Sequence, residues 1–148
     1  MKVQRFDPPR DLRRLLEIER DAFGEHAWPA ELFRSYHDDR EASLFLVVRV
    51  GRVMAGYVIA VHSRADSVEI ESLAVHSRFR RRGVASVLFE AVLRRARRLG
   101  VNWIGLMVRR DNDAAIRFYR GLGFVRTATV SGYYEDGGAA WRMRLQIP

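Results

Sequence analysis

The apolar residues of this chain recur with two alternating periods, and the switches between them divide it into eleven segments. Residues 2–6 can form a short strand that Pro8-Pro9 end. Asp11 is a plausible N-cap for a helix carrying Leu12, Leu15, Leu16, Ile18, Ala22 and Phe23 on one side and stopping near Gly24. Pro29 opens a second, short helix to about His37. Leu44–Val50 and Val53–Val61, joined at Gly51-Arg52, read as a β-hairpin, and Val68–Val75 as a further strand. A long helix follows from about Gly83 to Leu99, with Val84, Leu88, Ala91, Val92 and Leu99 on one face and Gly100 ending it. Trp103–Val108 is a strand, Asn112–Leu122 a helix closed by Gly123, and Phe124–Val130 and Ala139–Gln146 a last pair of strands. The order β-α-α-β-β-β-α-β-α-β-β predicts a mixed α/β fold.

Length and composition narrow this picture without changing it. A chain of 148 residues suits one core, so residues 1–148 are expected to form a single domain. The absence of cysteine excludes disulfides, thiolate metal sites and a cysteine nucleophile, and no metal site is expected. No run approaches a membrane span and Met1–Pro8 carries no apolar signal core, so a cytoplasmic protein without membrane contact is expected, as monomer or homodimer.

Charge adds more. The net charge of +8 is concentrated between Arg78 and Arg98, where eight arginines face Glu90 alone. Such a block points to a polyanion, either a phosphorylated cofactor or nucleic acid such as ribosomal RNA. Its two ends, Arg78–Arg82 and Arg94–Arg98, are roughly 20 Å apart along a helix, too far for one diphosphate to occupy both. The second cluster also sits where a helix C-terminus favours cations. The first precedes a helix whose opening N–H groups are unpaired, with Gly83 allowing close backbone approach and Ala85 or Ser86 keeping it uncrowded. Arg80-x-x-Gly83-x-Ala85 is thus a candidate anion site.

Its neighbourhood makes the site more specific. Leu73-Ala74-Val75, four residues, then Arg80-Arg81-Arg82-Gly83-Val84-Ala85 resembles the cofactor motif of the GNAT superfamily of N-acetyltransferases. Val108-Arg109-x-x-Asn112-x-x-Ala115-Ile116-x-x-Tyr119-x-x-x-Gly123-Phe124 resembles its downstream motif, and Trp28, Phe33 and Tyr133-Tyr134-Glu135-Asp136-Gly137 are similar to the branch acting on protein N-termini, the ribosomal-protein alanine acetyltransferases. The resemblance implies a mostly antiparallel sheet splayed between its central strands, with acetyl-CoA lying in the gap. Backbone groups of Leu73, Ala74 and Val75 would pair with the pantetheine arm. Arg80, Arg81, Arg82, Gly83, Val84, Ala85 and Ser86 would surround the diphosphate, Asn112 would hydrogen-bond the pantetheine, and Ala115 and Phe118 would pack against it. Tyr119 would be the general acid. The acceptor would lie between residues 24–34 and 131–138, among His26, Trp28, Phe33, Tyr133 and Tyr134, with Glu71 nearby.

The sequence departs from that branch at the base. The residue before the Val-Arg pair is commonly glutamate there; here it is Met107, which cannot take a proton. Glu69 and Glu71 are the available replacements, on one face of their strand. Glu69 also matches the position of the base in the histone-acetyltransferase branch, so it is the expected base. The loss weighs less for some acceptors than for others. An α-amine is on the order of 10–20% neutral at pH 7, whereas lysine is about 0.04% neutral. The expected acceptor is therefore a protein or peptide N-terminal α-amine, with a small-molecule amine as the alternative. Other classes are an RNA- or ribosome-binding module and a non-catalytic acyl-CoA binder.

Overall fold

The computed structural model describes residues 1–148. Its elements are β1 (Lys2–Arg5), α1 (Pro8–Phe23), α2 (Ala30–Asp38), β2 (Ser43–Val50), β3 (Val53–Arg64), β4 (Ser67–Val75), α3 (Val84–Leu99), β5 (Trp103–Arg109), α4 (Asp113–Gly121), β6 (Val125–Val130) and β7 (Ala140–Gln146). The expected order of elements is present. Seven strands form one sheet in the order β1-β2-β3-β4-β5-β7-β6. All neighbours are antiparallel except β4 and β5, which α3 connects.

Strand alternation divides the core into two layers. On one face, Val58 and Ala60 of β3, Ile70 of β4 and Ile104, Leu106 and Val108 of β5 pack with Leu88 and Val92 of α3 and Ile116 of α4. On the other, Val47 of β2 and Tyr57 and Ile59 of β3 receive Leu15 and Ile18 of α1 and Phe33 of α2. Complete burial of each such side chain is worth about 1.5–3 kcal/mol, so these stripes fix which helix covers which face.

The start of α1 differs from expectation. Proline is accommodated in a first turn, where its missing N–H would be unpaired, so the helix begins at Pro8 rather than after Asp11. Asp7 takes the cap position, and Asp11 is buried one turn inside. It accepts the Asp7 N–H at 3.0 Å and Arg10 at 2.7 and 2.8 Å, and pairs with Arg49 of β2.

The parallel pairing of β4 and β5 is short, and this makes the site. It runs over four rungs, Ser67↔Trp103 to Ile70↔Leu106, and then stops. Both strands continue, β4 to Val75 and β5 to Arg109, each held by its other neighbour. A V-shaped gap therefore opens above Ile70 and Leu106. Gly56 keeps β3 tight against that part of β4: a Cβ there would lie 2.7 Å from the Ala74 carbonyl oxygen. Gly56→Ala is expected to cost about 1–3 kcal/mol in urea unfolding, because backbone rather than a flexible side chain must move.

Candidate active site

The gap opens into a cleft of about 580 Å³. Its floor comprises Ile70 to Leu73 of β4 and Leu106 to Arg109 of β5; Glu19, Phe23, His26 and Trp28 wall one side, and Asn112, Ala115, Tyr119, Tyr134 and Asp136 the other. Two features fit acetyl-CoA. The β5-facing edge of β4 from Glu71 to Val75 pairs with no strand, leaving backbone donors and acceptors for an amide-bearing arm. Beyond it, the turn before α3 presents the unpaired N–H groups of Val84, Ala85 and Ser86.

The turn has the backbone an anion cradle needs. Gly83 caps α3 at φ 80°, and an added Cβ there would meet nothing within 4 Å, so backbone conformation rather than crowding selects glycine. Arg81 is the only non-glycine residue at positive φ, 62°. The three arginines differ in their freedom. Arg80 donates to the Val75 carbonyl at 3.3 Å and lies 3.7 Å from Asp21, whereas Arg82 rests over the Phe79 ring at 5.5 Å. Val84 itself is buried in the core, so only its backbone faces the turn. Asn112 caps α4 by accepting the Ala115 N–H at 3.2 Å, which leaves its amide NH₂ to donate. Ala115 lines the cleft. Phe118 does not; it packs edge-on against Tyr119 at 5.2 Å.

Tyr119 is 8% exposed, wedged between Phe118 and Phe124, and it lines the cleft. Burial pushes its phenol well above the usual value, with no hydrogen bond offsetting the shift. The hydroxyl therefore keeps its proton at any working pH and faces the gap.

Two acceptor-side expectations change. Phe33 is fully buried, at 5.6 Å from the Tyr57 ring and 5.7 Å from Trp28, and supports the wall instead of lining it. Tyr133 is half exposed outside the cleft, edge-on to Tyr134 at 4.9 Å. Trp28 and Tyr134 do line it. The loops carrying them meet through Arg109, which donates to Asp136 at 3.0 and 3.2 Å and to His26 Nδ1 at 3.5 Å, with its guanidinium 4.0 Å from the Tyr134 ring. The Gly138 N–H and Arg109 hold the Asp136 carboxyl below its usual pKa, so it is a poor base.

The two candidate bases separate. Glu69 pairs with Gly105 below the splay, its carboxyl packed where a Gly105 Cβ would lie 2.6 Å away, and it does not line the cleft. Burial raises its pKa while Arg142, Arg144 and Arg64 oppose the rise. Glu71 lies beyond the last rung and does line the cleft. Sequence reasoning missed Glu19. It is 1% exposed, accepts the Trp28 N–H at 2.9 Å, and pairs with the Tyr57 hydroxyl, which lies 2.8 Å from Ser72 Oγ. Its signal was its position: Asp11, Leu15, Ile18 and Glu19 share the buried stripe of α1, where a carboxylate needs partners. The cleft is also more acidic than a +8 chain suggests, with Glu19, Glu71, Asp111 and Asp136 against Arg109 and His26.

An open strand edge leading to a helix N-terminus, with a protonated tyrosine over the gap, defines an acetyl-CoA-dependent N-acetyltransferase. The chain belongs to the acetyltransferase (GNAT) family, whose pattern matches residues 12–124. It is 34% identical over 143 residues to the N-alpha-acetyltransferase RimI of Mycobacterium tuberculosis, covering 90% of this chain and 85% of that protein. Ard1 from Thermoplasma volcanium superposes with a TM-score of 0.90 at 31% identity, over 99% of this chain and 97% of that one. The ribosomal-protein-S18-alanine N-acetyltransferase of Escherichia coli gives 0.86 at 27% identity, over 99% and 93%. Some relatives are longer: the chain spans 39% of a 33%-identical uncharacterised protein of Mycobacterium leprae and 47% of a 32%-identical mycothiol acetyltransferase of Stackebrandtia nassauensis. No helix is long and apolar enough to cross a membrane.

Proposed function

We propose that the acceptor is the α-amino group of a protein or peptide. The observation that carries this reading is likeness over 81–90% of the chain to proteins named as N-alpha-acetyltransferases, at 31–34% identity. The cleft is compatible with it. Its carboxylates favour an ammonium group, and the loops carrying Trp28 and Tyr134 meet over the cleft at His26 and Asp136, 3.8 Å apart.

Acetyl-CoA supplies a thioester carbonyl open to amine attack. In this assignment the free edge of β4 at Leu73, Ala74 and Val75 orients the arm, and its N–H groups stabilise the developing oxyanion. The Asn112 amide donates to the arm, beside Ala115. Arg80, Arg81 and Arg82, with the backbone from Gly83 to Ser86, hold the diphosphate; Phe118 acts only by packing Tyr119. Tyr119 supplies the proton to the departing sulfur.

A second reading has one observation in its favour, the likeness to mycothiol acetyltransferases, which points to a small-molecule amine. Acetyl-CoA turnover against short peptides of varied first residue, free amino acids, amino sugars and polyamines tests both. Peptides should be acetylated at the α-amine with the highest kcat/KM; turnover confined to non-peptide amines would overturn the peptide reading. The same assay with ribosomes as acceptor addresses Arg94–Arg98, which occupy the last turns of α3. A docking role would make that reaction fall steeply with salt.

A further inference from the structure

The first residues beyond the last β4–β5 rung are Glu71 and Met107, which face each other across the opening of the splay. Both line the cleft. Met107 has no group that can take a proton. Of this pair only Glu71, on β4, can accept a proton at the mouth of the gap.

We propose that Glu71, at the mouth of the β4–β5 gap, is the general base of this acetyltransferase. The proposal rests on the N-acetyltransferase reaction but not on which amine is accepted. An acceptor entering as an ammonium ion gives one proton to the Glu71 carboxylate. The freed nitrogen lone pair attacks the thioester carbonyl, the C–N bond forms and the C–S bond breaks. Tyr119 protonates the departing thiolate, and the second proton of the acylated nitrogen returns to the Tyr119 oxygen. Atoms and charge balance with amide, free thiol and protonated Glu71 as products, and Glu71 releases its proton to solvent.

The surroundings suit this role better than those of any other carboxylate in the cleft. Glu19 is committed to Trp28 and Tyr57, and Asp136 to Arg109 and Gly138. Asp111 lies among the cleft residues that follow β5, beyond the splay. Glu71 has no ion-pair partner. The charged and titratable groups around it are Glu69 on its own strand, Glu19 of α1, Tyr36 of α2, His26, Arg109 of β5, and Tyr134 and Asp136 of the β6–β7 loop. Glu71 is exposed to the open cleft, and partial desolvation by its walls, then the negative charge of Glu69, raise its carboxyl above the ordinary value. Tyr36 responds in turn: after burial, the Glu71 charge is the next cause holding its phenol up.

The experiment uses the full chain and whichever amine the acceptor panel identifies. Wild-type kcat/KM should rise with pH through the Glu71 titration and then level. On an α-amine, Glu71→Gln should lose about 5- to 10-fold at pH 7 and follow only the amine's own ionisation, converging on wild type above about pH 9. Glu69→Gln should keep the low-pH limb but move it to lower pH, because it removes the negative charge that helps raise Glu71. Adding Met107→Glu to Glu71→Gln should restore most of the loss at pH 7. Two further readouts are independent of turnover. Acetyl-CoA affinity by calorimetry should be unchanged in Glu71→Gln, and a carboxyl ¹³C resonance titrating above the ordinary glutamate value should vanish in that variant. The proposal is overturned if Glu71→Gln raises only KM with an unchanged pH profile, since that makes Glu71 an acceptor-binding group. It is equally overturned if the low-pH limb disappears in Glu69→Gln, if acetyl-CoA affinity falls in parallel with rate, or if Met107→Glu restores nothing.

Discussion

Tyr119→Phe is expected to lower kcat by about 10²–10³-fold, leaving acetyl-CoA affinity and unfolding temperature close to wild type. The substitution removes one oxygen and keeps the ring wedged between Phe118 and Phe124 at 5.2 and 5.4 Å. That hydroxyl makes no hydrogen bond to the protein, so its loss strands no donor or acceptor and disturbs no network. What disappears is a proton held at the edge of the gap by a group that burial prevents from ionising. Single-turnover kinetics with saturating acetyl-CoA would show the effect in the chemical step. A kcat within threefold of wild type would remove Tyr119 from the chemistry and leave it as packing.

The second large effect concerns stability. Asp11→Ala should destabilise the fold by about 3–5 kcal/mol, the scale for removing one member of a buried ion pair. It leaves Arg49, Arg10 and the Asp7 N–H without their shared acceptor. Burial alone would raise the Asp11 pKa, but the Arg10 hydrogen bonds, the Asp7 N–H and the charges of Arg10 and Arg49 outweigh it and hold it below 3.8. Stability from the ionised carboxylate is thus complete above about pH 4 and lost as pH falls through the lower, folded-state value. Urea unfolding from pH 7 to pH 2 should show the variant converging on wild type at the acid end. Parallel curves down to pH 2 would contradict the assignment. Glu19 runs the other way: burial raises its pKa, so its ionisation subtracts stability as pH rises through the window above 4.5.

The order of elements was legible because each strand and helix keeps its own period, down to the turns at Gly51, Gly83 and Gly100. The cofactor side was legible for a related reason. A strand, a glycine-containing turn and a helix N-terminus are local features, and their chemistry is largely backbone. The acceptor side depends on which side chains meet across the sheet, and spacing alone does not carry that. Phe33 suited a groove by its motif position but is needed between α2 and the β2–β3 face. Glu69 and Glu71 share one strand face, and Glu69 was the expected base, yet the end of β4–β5 pairing after Ile70 covers Glu69 and opens Glu71 to the cleft. The start of α1 was obscured by Pro8-Pro9, which read as a break where they are a first turn.

Glu19 fastens three parts of the chain at one point: the Trp28 backbone beyond α1, Tyr57 in β3 and, through that hydroxyl, Ser72 in β4. Trp28 belongs to the cleft wall proposed for the acceptor, while Ser72 immediately precedes Leu73–Val75, the strand edge proposed for acetyl-CoA. The two binding surfaces consequently share a rigid joint instead of being separate loops that close on arrival. Whatever orders one substrate has already ordered the frame of the other. Random addition of the two substrates, with little mutual effect on their dissociation constants, is the expected pattern, and initial rates with both concentrations varied would check it.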